Sequence, residues 1–140
     1  QLFLTTSGLQ KISSEIALDS LDNIETFEVT DQVMREMADS ESPQGILALC
    51  SSKSLRVSEL WGMNPKKIAY FWQIQDPGNA GTVIRSADAS GFDAVIFSDQ
   101  SVDIYSPKVV RSTVGAIFQI PLISEIELIE SISELKKGKF

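Results

Sequence analysis

The stretch QDPGNAGTVIRSADASGFDAVIF, residues 75–97, decides the fold of this 140-residue chain. A Gly-rich turn opens it, a helical pattern follows, and the strand-like run DAVIF, residues 93–97, closes it. The helical spacing is kept by Ala80, Val83, Ile84, Ala87 and Gly91. The preceding run IAYFWQIQ, residues 68–75, is predicted to be a strand. Strand, turn, helix and strand in this order predict a parallel βαβ unit with a right-handed crossover.

The same alternation continues towards the end of the chain. Residues 108–117 are predicted to form a second helix, and FQIPLI, residues 118–123, a third strand. Residues 125–138 should form a closing helix with Leu128, Ile129, Ile132 and Leu135 facing inward and Gly138 as its C-cap. The fold class predicted for this part is α/β with a parallel sheet.

The first part of the chain has a different pattern. It predicts a helix over 13–23, a strand over 27–29, and a helix with Thr30 as its N-cap. The apolar run GILALC, residues 45–50, predicts a buried strand that includes Cys50 as a small buried side chain. Residues 51–67 lack periodicity and carry four basic residues, so a domain boundary is expected there.

Composition excludes several kinds of chemistry. Histidine is absent, which removes imidazole-based nucleophilic sites, general bases and zinc sites. A single cysteine permits no intrachain disulfide and no Cys-based zinc site, and no metal is expected. No apolar stretch reaches the roughly 18 residues of a membrane span, so we expect a soluble, cytoplasmic protein. The start at Gln1 and the ending KKGKF suggest a piece of a longer protein.

The net charge of −7 disfavours binding of nucleic acid by bulk electrostatics. The charge is unevenly distributed, however. Residues 1–52 hold nine acidic and two basic side chains, whereas residues 53–118 hold six acidic and seven basic ones. A site for a polyanion is therefore expected in the second half.

Ligands of parallel α/β sheets gather at the carboxyl ends of the strands, which directs attention to the turn around Asn79. This turn is interpreted either as an anion site at a helix N-terminus or as a plain strand-to-helix turn with Asn79 as a local cap. Arg85 lies further along that helix, where it either acts on a ligand or pairs with Asp88 on the surface. Lys108 and Arg111 share a face of the second predicted helix with Gly115, and this face suits a phosphodiester backbone or is simply solvated.

Two long motifs resemble those of a known family. Residues 75–97 resemble the first signature of the SpoU (TrmH-type) RNA ribose methyltransferases, N-x-G-x-x-x-R-[ST]-A followed by a Gly and a strand. SPKVVRSTVGAIFQIPL, residues 106–122, resembles their second signature, in the expected order and spacing. The third signature, which closes the knotted cofactor pocket, is not found before Phe140. The resemblance implies an incomplete parallel sheet of the SPOUT (knotted) type over 68–140, a linker over 53–67, and part of a small α/β RNA substrate-binding domain over 1–52.

The resemblance also implies a function and its residues. The activity would be S-adenosylmethionine-dependent 2′-O-methylation of RNA, with rRNA ahead of tRNA as the substrate, by a homodimer. Arg85 would be the catalytic arginine with Asn79 beside it, and Lys108 and Arg111 would bind neighbouring phosphates. Most contacts to S-adenosylmethionine would lie beyond Phe140. Because a guanidinium is a poor base, we interpret Arg85 as a clamp for a phosphate and a developing alkoxide.

Two other functions fit the pattern. One is a non-catalytic α/β module that binds RNA or dimerises. The other is a receiver-like domain, suggested by Asp99 after a strand, although the acidic cluster expected after the first strand is reduced to Asp76. For RNA binding by stacking, the aromatic candidate is Trp61, which serves equally as a packing residue.

Overall fold

The computed structural model describes residues 1–15, 21–51 and 55–137, and these form two compact units, Gln1–Ser51 and Ser52–Phe140. The longest described helix has 13 residues. None of the described helices has both the length and the apolar character needed to cross a lipid bilayer.

The first unit is built on a three-stranded sheet. Strand β1 (Leu2–Leu4) pairs parallel with β2 (Thr26–Glu28) and antiparallel with β3 (Ile46–Ala48). Helices α1 (Thr6–Glu15) and α2 (Asp31–Met37) connect the strands. Among the described residues of this unit, the buried apolar side chains are those of Leu2, Leu4 and Met34.

Predictions for the first unit are confirmed in part. Thr30 is the N-cap of α2, and its side chain accepts a hydrogen bond from the Val33 N–H at 3.3 Å. The strand predicted over 45–50 exists but is not buried, because β3 is an edge strand with Ile46 exposed. Cys50 is exposed as well, so its interpretation as a buried residue was wrong. The predicted helix 13–23 overlaps α1 only at its start, and residues 16–20 lie outside the described residues.

The second unit contains a fully parallel sheet in the order β4-β5-β6. Its strands are β4 (Ile68–Phe71), β5 (Ala94–Ser98) and β6 (Leu122–Ile126). Helices α4 (Pro77–Ala89) and α5 (Pro107–Ser112) follow β4 and β5, while α3 (Val57–Leu60) precedes the sheet and α6 (Leu128–Lys137) follows it. The α/β class with a parallel sheet is therefore confirmed.

Side chains of β5 alternate between two cores. In the first core, Val95 and Phe97 pack with the buried faces of α4 and α5. In the second core, Ala94 and Ile96 pack with residues of α3 and α6. All five residues of β5 are buried, as expected for a central strand covered by helices on both faces. The sheet is thus the middle layer of three.

Part of the predicted linker 53–67 is packed structure. Helix α3 and a 3₁₀ turn, Trp61–Met63, occupy it, and both Val57 and Leu60 are buried in the second core. At its end, the Asp93 carboxylate accepts hydrogen bonds from the Lys66 and Lys67 N–H groups at 2.7 and 2.8 Å. These two hydrogen bonds hold the pKa of Asp93 below its ordinary value, and the bond from Lys66 has the larger effect.

Several predicted boundaries in the second unit were wrong. Strand β4 ends at Phe71, because Gln73 has a left-handed backbone with φ 51°. The second helix ends at Ser112 rather than at 117, since Val114 and Gly115 are also left-handed, and a 3₁₀ turn Ala116–Phe118 follows. The third strand then begins after Pro121, which has no N–H for a sheet.

The inward stripe predicted for the last helix was also partly wrong. Leu135 packs against the second core, but Ile129 is 71% exposed and Ser131 is the buried residue of α6. The predicted C-cap Gly138 lies outside the described residues.

Helices α4 and α5 approach closely at Gly81. A Cβ atom built on Gly81 would lie 1.8 Å from Ser112 Oγ and 2.6 Å from Ser112 Cβ. The Ser112 hydroxyl donates to the Pro77 carbonyl of α4 at 3.1 Å or to the Val109 carbonyl of its own helix at 2.8 Å. The glycine is therefore required by the crossing itself.

Replacement of Gly81 by alanine tests this packing. Without a steric conflict, a Gly→Ala substitution inside a helix raises the free energy of unfolding by about 1 kcal/mol. Here Gly81→Ala should lower the free energy of unfolding, measured by urea denaturation, by about 1–3 kcal/mol through overpacking. Gly62→Ala is the matched control, since its added Cβ would meet nothing within 4 Å. A Gly81→Ala protein as stable as the control would contradict the described crossing.

Candidate functional site

The carboxyl end of β4 leads into a capped turn. Asp76 is the N-cap of α4, and its Oδ1 accepts the Asn79 N–H at 2.7 Å. Pro77, the first helical residue, has no N–H to offer. The helix N-terminus predicted as a possible anion site is thus occupied largely by the chain's own carboxylate, and the cap is Asp76 rather than Asn79.

Asn79 keeps its carboxamide exposed on the first turn of α4. Only its backbone N–H takes part in the cap. The side chain therefore presents one donor group and one acceptor group to solvent.

Arg85 lies in a groove that two distant segments build. Its walls are Arg85 and Asp88 of α4 together with the turn Thr113–Ala116 and Gln119, and its volume is about 390 Å³. The turn follows α5 and is therefore positioned by the crossing at Gly81. The motif over residues 75–97 thus supplies Arg85, the cation of this groove, and the motif over residues 106–122 supplies the opposite wall.

Arg85 is exposed, and among the described residues it forms no ion pair with Asp88. The interpretation of Arg85 as a surface partner of Asp88 is therefore wrong. An exposed guanidinium beside a turn is available for an anion, which it binds through two parallel N–H donors.

The backbone of the turn is unusual. Val114 has φ 51° and Gly115 has φ 90°, and the Val114 side chain is 76% exposed. A β-branched residue in the left-handed region is an outlier, which strained active-site and ligand-binding turns often contain. Sequence patterns gave no signal for it, because the run TVGA continues a helical spacing.

The two predicted phosphate-binding cations lie elsewhere. Lys108 and Arg111 are exposed on α5, three residues apart, and are not among the described residues that line the groove. Gly115 does not share their helical face, because α5 has already ended. The structure thus brings Arg85 together with Gly115 but keeps Asn79, Lys108 and Arg111 outside the groove.

A further aromatic residue was missed. Trp72 directly follows β4 and is 59% exposed, whereas Trp61, the residue singled out from the sequence, is half-buried against the second core. The sequence gave no signal for this exposure, because Trp72 lies inside the run 68–75 that was predicted as one strand. Within the described part of the chain, no group of three or more Cys, Asp or Glu side chains is placed to hold a metal ion.

Comparison with known proteins links these segments to one family. The model of the SpoU rRNA Methylase family matches residues 66–140. The chain is 32% identical over 128 residues, 91% of its length and 49% of the relative's, to the 23S rRNA (guanosine(2553)-2′-O)-methyltransferase RlmP of Bacillus subtilis. It is 30% identical over 118 residues, 81% of its length and 28% of the relative's, to the mitochondrial rRNA methyltransferase 3 of mouse.

Solved structures share the fold. The SpoU methyltransferase AviRb of Streptomyces viridochromogenes superposes with a TM-score of 0.76 at 20% identity, over 99% of this chain and 50% of that one. An AdoMet-bound rRNA methyltransferase of Sinorhizobium meliloti gives the same TM-score at 22% identity, over 97% and 51%. The chain spans half or less of the length of these curated relatives and about half of these solved chains.

Proposed function

The chain belongs to the SpoU rRNA methylase family, and on that premise we propose that it is part of an S-adenosylmethionine-dependent RNA 2′-O-ribose methyltransferase. Ribosomal RNA is the first candidate substrate, ahead of tRNA, because the named relatives act on rRNA. The observation that carries the proposal is the groove in which Arg85 meets the turn Thr113–Ala116. Its two walls come from the two signatures of the family.

The groove fits the acceptor of the methyl group rather than its donor. Arg85 makes the groove cationic on one wall, which suits a phosphate or a developing alkoxide. A sulfonium placed against Arg85 would bring two positive charges together. We therefore assign the groove to the ribose–phosphate of the RNA, and the contacts to the donor mostly to chain beyond Phe140.

Methyl transfer to a ribose is an in-line displacement in which an O–C bond forms, a C–S bond breaks and the hydroxyl proton passes to solvent water. S-adenosylmethionine, when bound, supplies the electrophilic methyl group. Arg85 remains charged throughout, so it binds the phosphate beside the reacting ribose and stabilises negative charge on the 2′-oxygen. Asn79, through its exposed carboxamide, orients the substrate at the start of α4, while Lys108 and Arg111 bind neighbouring phosphates.

The test of the function is transfer of labelled methyl groups from S-adenosylmethionine to rRNA and, separately, to tRNA by the full-length protein. A 2′-O-methyl group removes the hydroxyl that attacks the adjacent phosphodiester in alkali. The label should therefore appear in alkali-resistant dinucleotides. RNA binding without any labelled product would favour the non-catalytic binding module instead.

Residues 1–52 and the location of the reaction belong to the same proposal. We assign RNA binding to the first unit, and ultraviolet cross-linking in the same reaction mixture should attach RNA to it. Cross-links confined to residues 55–137 would contradict that assignment. The cytoplasmic location is part of the same proposal, and it rests on the proposed RNA substrate.

Substitutions of Arg85 test its proposed catalytic role. Arg85→Ala should lower kcat at least ~100-fold, the order of loss for one preorganised donor, with a change in unfolding free energy below ~1 kcal/mol. Arg85→Lys should recover activity only in part, because a point charge lacks the planar fork. Lys108→Ala should raise KM more than it lowers kcat, as expected for a phosphate contact.

The matched control is Arg56→Ala, which removes an exposed guanidinium that pairs with Glu59 at 3.4 Å. Arg56 is not among the residues lining the groove, so turnover should stay near normal. Turnover of Arg85→Ala equal to that of this control would rule out the catalytic assignment.

We further propose that the protein works as a homodimer whose second copy covers the exposed apolar side chains beside the groove. These are Val114 and Phe118, the latter 72% exposed. A second copy there would exclude water from Arg85 and strengthen its interaction with a phosphate. Sedimentation equilibrium should give twice the chain mass, and Phe118→Asp should shift it to the monomer. A fully active wild-type monomer would contradict the proposal.

A further inference from the structure

Trp72 is an exposed indole at the carboxyl edge of the parallel sheet. It is the first residue after β4, lies four positions before the cap Asp76, and is 59% exposed. Trp side chains are highly buried on average in folded proteins. Its position at the carboxyl edge of a parallel sheet, where ligands of such sheets bind, makes this exposed indole available for stacking.

The backbone on the strand side of Trp72 is fixed. Phe71 is the last residue of β4 and lies opposite Phe97 of β5 in the parallel register. The two rings also pack with their centroids 5.7 Å apart. Trp72 therefore leaves the sheet from a rigid point.

The backbone on the other side is fixed as well. The Gln73 N–H donates to Ser98 Oγ at 2.8 Å, and Ser98 is fully buried. The Gln73 side chain donates to the Gln100 side chain at 3.3 Å, and the Val102 N–H donates to the Ile74 carbonyl at 2.7 Å. Because the loops after β4 and β5 hold each other, binding at Trp72 costs little backbone ordering.

The charge of the chain bears on what this indole binds. Residues 53–118, which include Trp72, hold seven basic and six acidic side chains, so bulk electrostatics give this part of the chain little affinity for a polyanion. Stacking of a base on an aromatic side chain contributes about 1–3 kcal/mol per base and accepts any of the four bases. Bases are accessible for stacking where the RNA is single-stranded or looped.

We propose that Trp72 stacks on an unpaired nucleobase of the RNA substrate and thereby helps to position the strand. This inference rests on the proposed function. It adds a recognition residue that neither signature contains, and it assigns to Trp72 the stacking role that the sequence suggested for Trp61.

The test compares two probes on the full-length protein. One is a labelled single-stranded oligoribonucleotide of about ten nucleotides, and the other is an abasic ribose–phosphate oligomer of the same length. Trp72→Ala should weaken binding of the first about 5- to 150-fold and leave the second unchanged, as measured by fluorescence anisotropy. Trp72→Phe should retain most of the affinity. The loss should persist at higher salt, because stacking releases no counterions.

Met63→Ala is the matched control, since Met63 is an exposed apolar side chain of the same unit that lies before β4. Equal losses on both probes, or none, would overturn the stacking proposal. A shift of Trp72→Ala to a smaller mass in sedimentation, with RNA affinity unchanged, would make Trp72 a subunit contact and overturn it too.

Running the methyl-transfer assay in parallel keeps the two proposals apart. Labelled product from the wild type together with unchanged RNA affinity in Trp72→Ala would overturn stacking alone. A base-dependent loss of affinity in Trp72→Ala without labelled product from the wild type would overturn methyl transfer and support Trp72 as an RNA contact.

Discussion

The contact between α4 and α5 at Gly81 is the constraint on which the site depends. No Cβ fits between Gly81 and Ser112, and the Ser112 hydroxyl has carbonyl acceptors on both helices. This close approach carries the turn after α5 to the side of α4 where Arg85 lies. The groove is thus a consequence of backbone packing and would change shape with any side chain larger than hydrogen at position 81.

Secondary structure was predictable where periodicity was strong and unpredictable where the backbone turned left-handed. The alternation of strands and helices over 68–137 gave the parallel sheet correctly, and the Thr30 cap was readable from a single residue type. Gln73 and Val114 were not readable in this way, because neither residue type favours positive φ. They shortened a strand and a helix, respectively.

The site was predictable by residue but not by arrangement. Arg85 and Gly115 came from two motifs far apart in the sequence, and only the crossing of α4 with α5 places them in one groove. The cap showed the opposite limitation: Asp76 and Asn79 are three residues apart, and local spacing did not decide which of them caps the helix. Long-range packing decided the first case and side-chain geometry the second.

The left-handed valine at the rim of the groove has a consequence for the chemistry of the turn. A non-glycine residue held in this region stores about 1–3 kcal/mol of backbone strain, and within one chain the exposed Val114 side chain recovers little of it by packing. Glycine there would relieve the strain but would also admit many more backbone conformations. At position 114, glycine would therefore favour thermal stability by removing the strain. Valine instead favours a single fixed shape of the groove wall.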